Sequence, residues 1–202
     1  MPDDALPGDS ARRGRAGKRP RRGGPRDALR VARATVAVAA DGEVVAIPTA
    51  AAPRWEFVHP RCAQRRREDM EEVEAMLEAG EAEVAREELV WLLSECPDFL
   101  AAHVALGTLA LEDDDLRLAR GHFGRAVQIG LEALAAAGDP RPLPAGLPGN
   151  RSFFEAAKGL VHVLLETGKR DVASATARRV VAFDPADPLG IVRLAAGQGG
   201  RP

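Results

Sequence analysis

Two cysteines, Cys62 and Cys96, are all that the 202 residues contain. That is too few for a disulfide framework, and a helical core needs none, so a reducing, cytoplasmic compartment is the expectation. No apolar run approaches the roughly 20 residues that a membrane-crossing helix requires. Nucleophile motifs, phosphate-cradling glycine loops and cofactor fingerprints are missing, which argues against an enzyme and leaves no cofactor to expect. His59-Pro60-Arg61-Cys62 has the spacing of half a metal site, but no second paired motif supplies the remaining ligands. No metal is therefore expected, and the motif reads as structural packing. The first 30 residues have almost no large apolar side chains, so they cannot bury enough surface to offset chain entropy and read as a disordered arm.

What is abundant is Ala, Leu, Val, Glu and Arg, a mixture that favours helix. The net charge of −2 conceals an asymmetry. Residues 1–67 carry 15 Lys/Arg against 7 Asp/Glu, residues 68–135 carry 4 against 17, and residues 136–202 carry 9 against 6. A basic arm on an acidic body implies that each meets a different surface, or that they meet each other. The basic run Arg12 to Arg26 followed by apolar Val31 to Ala40 has the outline of a secretory signal. Its prolines and the interruption at Arg33 argue against that reading.

Residues 35–47 place Asp41-Gly42 between two β-branched runs, the short-range pattern of a hairpin. Two strands alone are marginal in water, so the hairpin either packs on the helical body or forms transiently. Trp55, Phe57 and Val58 are expected to dock this lead-in segment, residues 31–65, onto the first helical unit.

Helical periodicity begins near Glu68. Met70, Val73, Met76 and Leu77 share one face, and Gly80 stops the helix. A partner follows from about Ala82 to Cys96, with Val84, Ala85, Leu89, Leu92 and Leu93 turned inward. The second pair spans about Phe99 to Glu112 and Leu116 to Ala137, with Asp115 as N-cap. Residues 138–149 hold four prolines and three glycines and cannot be helical. A third pair covers about Arg151 to Thr167 and Asp171 to Phe183. Asp187 to Ala196 reads as a short terminal helix, and 197–202 as a frayed tail.

A spacing unites these pairs. Ala85, Leu89, Leu92 and Pro97 recur as Ala119, Phe123, Ala126 and Leu131, a shift of 34, and again as Ala173, Ala177, Val180 and Pro185, a further 54. A period near 34 with small residues at fixed offsets marks stacked helix-turn-helix units.

In register, residues 66–196 resemble tetratricopeptide repeats beginning at Arg66, Leu100 and Phe154. The mid-helix Leu-Gly pair of that family is matched by Leu106-Gly107; the third unit has Leu160-Val161 and the first Glu72-Val73. The small residue of the second helix is Ala85, Ala119 and Ala173, the aromatic is Phe123, and the closing prolines are Pro97 and Pro185. The resemblance implies an all-α fold, a right-handed solenoid of three helix pairs plus a terminal helix, with an unrelated antiparallel bundle as the alternative. It also implies a non-enzymatic scaffold whose first helices line a concave peptide-binding groove. The matching positions are Met70, Glu74, Leu77 and Glu78; Val104, Thr108, Leu111 and Glu112; and Lys158, His162, Leu165 and Glu166.

Carboxylates alternate with apolar side chains along these positions, which favours a basic or amphipathic protein segment as partner. Three other readings compete: an ordinary solvated acidic face, the basic arm folding back on its own body, and an arm that contacts phosphates while the repeats recruit a protein. The last is disfavoured because the arm has no interleaved aromatics and the acidic body repels nucleic acid. Lys158 and His162, flanked by Glu155 and Glu166, form i,i+4 pairs on a helix surface more readily than an acid-base centre.

Overall fold

The computed structural model describes residues 43–49 and 54–197. Eight helices and one two-stranded sheet are found among them. Strands β1 (Val45–Pro48) and β2 (Trp55–Val58) pair antiparallel, with Val45 opposite Val58 and Pro48 opposite Trp55. The helices are α1 (Arg61–Arg65), α2 (Arg67–Glu78), α3 (Ala82–Glu95), α4 (Leu100–Glu112), α5 (Leu116–Ala136), α6 (Pro148–Glu166), α7 (Arg170–Val181) and α8 (Ile191–Ala195).

Local chemistry sets these boundaries. Gly80 takes φ +81 and ends α2 with a left-handed turn that a side chain would strain. The Asp115 carboxylate accepts a hydrogen bond from the Leu118 amide at 2.9 Å, the N-cap expected for α5. Pro148 sits in the first turn of α6, where its missing N–H costs nothing, so the helix starts three residues earlier than Arg151. Asp187 caps the last helix, accepting from Ile191 N at 2.8 Å and Val192 N at 3.0 Å.

Consecutive helices α2 to α8 pack in sequence, and α4 also packs directly on α6. The apolar interior forms two clusters. The smaller joins α1, α2 and α3 to one side of α4 through Val73, Leu89, Leu92 and Leu106. The larger joins the sheet to α4 through α8. Helix α4 contributes to both clusters, which explains why it is apolar nearly all round.

Phe123 of α5 fills the junction of α4, α5 and α6. Its ring lies against Gly107 on one side and Gly159 on the other, so closely that a Cβ at either glycine would sit 2.7 Å or 2.6 Å from a ring carbon. Helix α6 therefore presents Gly159 to the Phe123 ring of α5, one residue before Leu160-Val161.

One expectation for the lead-in segment changes, and another lies outside the described residues. The first arm and the Asp41-Gly42 turn of the expected hairpin lie outside the described residues, as does the whole basic arm, residues 1–30. The second arm pairs with Trp55–Val58. That sheet docks on α5 and α6 rather than on the first unit. Phe57 meets Phe153 edge to face, with centroids 5.4 Å apart. Asn150, fully buried, accepts from Phe57 N at 2.9 Å and donates to the Trp55 and Pro144 carbonyls at 3.0 and 2.9 Å.

The proline-rich insertion is a structural tie. Trp55 N donates to Pro142 O at 2.9 Å, Leu143 N to Phe183 O at 2.8 Å, and Ala145 N to the Asp184 carboxylate at 2.8 Å. Leu143 is fully buried beneath these bonds. The insertion thus joins the sheet to the end of α7.

The two cysteines are bonded to each other, with Cα atoms 5.6 Å apart, in place of the free thiols expected from their number. The bond ties α1 to the C-cap of α3 across 34 residues. Val84, expected inward, is 51% exposed, because the adjacent Ala85 takes the buried position.

Candidate functional site

A cleft of about 720 Å³ opens between α4 and α6. Val104, Thr108 and Leu111 line one wall, Lys158 and His162 the other, and the Phe123 ring with Gly159 forms the floor. Side chains at i, i+4 and i+7 of α4 fall on one face, and Lys158 and His162 repeat that spacing on α6, so the direct packing of the two helices brings both rows together. Leu189 and Leu194 of the terminal segment close one side. The α6-α8 packing that puts them there is long-range, and their own sequence neighbourhood carried no groove signal.

Five of the twelve groove positions therefore share this cleft: Val104, Thr108, Leu111, Lys158 and His162. Glu74 and Glu78 are exposed on α2, and Glu112 and Glu166 are exposed at the ends of α4 and α6. Leu77 and Leu165 are half-buried, one against each core cluster. Met70 is a correction: at 8% exposure it belongs to the smaller core, since it shares a face with Val73.

The electrostatics of the cleft are uneven. Arg151 and Glu155 pair at 2.7 Å, and that carboxylate raises the guanidinium's pKa, with Glu74 adding to the effect. A carboxylate of α2 is thus within electrostatic reach of the first turn of α6. Glu155, expected among the i,i+4 pairs around Lys158 and His162, makes its i,i+4 pair with Arg151. Among the described residues Lys158 forms no ion pair. The Thr108 hydroxyl donates to Val104 O at 3.0 Å, within its own helix.

A second, larger cleft of about 830 Å³ lies between β1 and α5. Val44, Ala46, Ile129 and Ala133 give it apolar walls, and the Arg125–Asp98 pair, at 2.9 Å, stands at one side. Nearby, His103 and His122 bring their Nδ1 atoms to 3.3 Å, and His103 Nε2 contacts Pro97 O at 2.9 Å. That carbonyl can only accept, so His103 carries its proton on Nε2 and accepts from His122. Burial lowers both pKa values; Arg125 lowers that of His103 further, and His103 lowers that of His122.

The His59-to-Cys62 motif is committed elsewhere. His59 Nε2 donates to Gly149 O at 2.9 Å, and Cys62 is in the disulfide. Among the described residues no group of three or more His, Cys, Asp or Glu side chains could hold a metal, and no helix is long and apolar enough to cross a membrane. No family model matches the chain, and neither a curated protein nor a solved structure matches it.

Proposed function

We propose that this chain is a non-enzymatic protein-binding scaffold. Its three tetratricopeptide-like pairs, α2–α3, α4–α5 and α6–α7, wind as a right-handed solenoid with α8 as terminal cover. The concave side holds a basic or amphipathic segment of a partner protein. The observation that carries this reading is the cleft between α4 and α6, where residues of two first helices converge on an apolar floor. Exposed Glu74, Glu78 and Glu112 give the surrounding surface its negative sign, which sets association rate and partner choice more than raw affinity. Cytoplasmic placement rested on two free thiols. With Cys62 bonded to Cys96, a compartment that tolerates disulfides suits the protein better.

The test compares the wild-type chain with Glu74→Lys/Glu112→Lys and with Leu111→Asp in affinity capture followed by mass spectrometry, before and after nuclease treatment. Proteins retained by the wild type should fall about tenfold with either variant, a cost of about 1.4 kcal/mol, while far-ultraviolet circular dichroism stays the same. Retention that ignores both variants sinks the groove reading. Retention abolished by nuclease favours the arm as a nucleic-acid contact.

A further inference from the structure

Of the six exposed large apolar side chains among the described residues, which include Val90 and Val192, three follow a rule. Val84, Leu118 and Val172 are 51%, 43% and 52% exposed, and each is the third residue of the second helix in its pair. They are separated by 34 and 54 residues, the same intervals as the buried Ala85, Ala119 and Ala173 that follow them. Each alanine is fully buried, so each preceding residue is presented on the outer side of its helix in the same way. Single exposed apolar residues are ordinary; one at the same register in all three pairs forms a stripe.

Charge changes sign along that stripe. Beside Val84 are Glu81, Glu83, Glu87 and Glu88, of which Arg86 touches only Glu83 before reaching across to Asp113. Beside Val172 are Lys169, Arg170, Arg178 and Arg179, opposed by Asp171. Around Leu118 the charges balance: Asp114 and Asp115, the latter also capping the helix, offset Arg117 and Arg120, and Arg125 is paired with Asp98. Two turns beyond Val84 is Trp91, 41% exposed, with Arg66 on one ring face at 4.3 Å. Two turns beyond Val172 is Arg179, exposed.

We infer that this outer edge is a homodimer interface, and that its occupant is a second copy of the same chain. A two-fold axis running alongside α5 places Leu118 on Leu118, and Val84 of one copy on Val172 of the other. Glu81 then meets Lys169, and Trp91 meets Arg179, an aromatic face opposite a guanidinium. The acidic end of each copy lies on the basic end of its partner, twice over. A surface that runs from negative to positive through a neutral, apolar centre is self-complementary only in this reversed arrangement, which is the requirement of an isologous two-fold contact. The contact is narrow beside the ~800 Å² per partner of stable complexes, so association is weak and salt-sensitive.

Sedimentation velocity on the full chain, across protein concentration at low and high salt, reads this directly. The wild type should pass from one chain to two as concentration rises, with added salt shifting the transition to higher concentration. Leu118→Glu should abolish the dimer by placing two carboxylates on the axis. Glu81→Lys/Glu87→Lys and Lys169→Glu/Arg179→Glu should each be single alone and dimeric when mixed, because only the mixture restores opposite signs at both ends. Circular dichroism confirms that each variant folds. A wild type that stays single at its highest attainable concentration overturns the proposal, as does a mixture that fails to restore pairing.

Discussion

Phe123 and Gly159 lie so close that no side chain fits between them: a Cβ on the glycine would stand 2.6 Å from the ring. The contact joins α5 to α6. It is the counterpart of the Gly107 contact with α4, where the same ring would meet a Cβ at 2.7 Å. Gly159→Ala and Gly107→Ala should each cost about 1–3 kcal/mol through overpacking, although alanine is the better helix former. Urea denaturation reads the loss. Phe123→Leu should restore part of it in a double-mutant cycle, since a smaller side chain leaves room for the methyl group. Additive losses would show that the ring and the glycines are energetically independent.

Asn150 holds the sheet to the helical body through Phe57 N and the Trp55 and Pro144 carbonyls. Asn150→Ala strands one buried donor and two acceptors, and a cost of about 3 kcal/mol follows from the penalty for unpaired buried groups. Asn150→Asp keeps the acceptor but supplies no donor to the carbonyls, so it should also destabilise. Thermal denaturation of both variants checks the pair, and a loss under 1 kcal/mol for Ala would contradict the assigned role.

Reduction of Cys62–Cys96 removes a constraint spanning 34 residues. In the chain-entropy account a closed loop of this size contributes about 3–4 kcal/mol. Helix α2 should feel it most, because it buries only Met70 and Val73. Hydrogen exchange should therefore accelerate in α1, α2 and α3 on adding dithiothreitol, with α5 and α6 retaining their protection. Cys96→Ala should reproduce the effect without reductant.

Acidification should destabilise the fold. Burial holds His59, His103 and His122 below the ordinary histidine value of 6.5. Above that value the three rings are neutral in folded and unfolded chains alike, and they make no difference to stability. As pH falls through 6.5 the unfolded chain takes up protons first, so the folded state loses ground until its own rings titrate. His103→Asn/His122→Asn should flatten the dependence of urea midpoint on pH below 6.5; an unchanged slope would show that the buried histidine pair does not carry it.

Much of the helical layout was legible because its signals are local. Gly80 and Asp115 punctuate the chain through their own backbone and side-chain chemistry, and the apolar intervals fix which face turns inward. The cleft was legible in part. Val104, Thr108 and Leu111 sit on the face that the repeat register assigns, while Met70 is drawn into the core by its neighbour Val73. Leu189 and Leu194 carried no such register, since a terminal segment outside the repeats can lie anywhere its apolar side chains find cover.

The sequence by itself determined most of the helices, the interval of 34 residues, the buried alanine at that interval and the opposite signs of the chain's parts. These depend on neighbours a few residues away, or on counting. Only the tertiary structure decided that the sheet docks on α5 and α6, that the insertion ties it to the end of α7, and that Cys62 and Cys96 meet. Each of those joins groups separated by 34 residues or more. Their pairing follows from which buried donors, acceptors and apolar faces remain unsatisfied once the helices have stacked, a condition that no local pattern encodes.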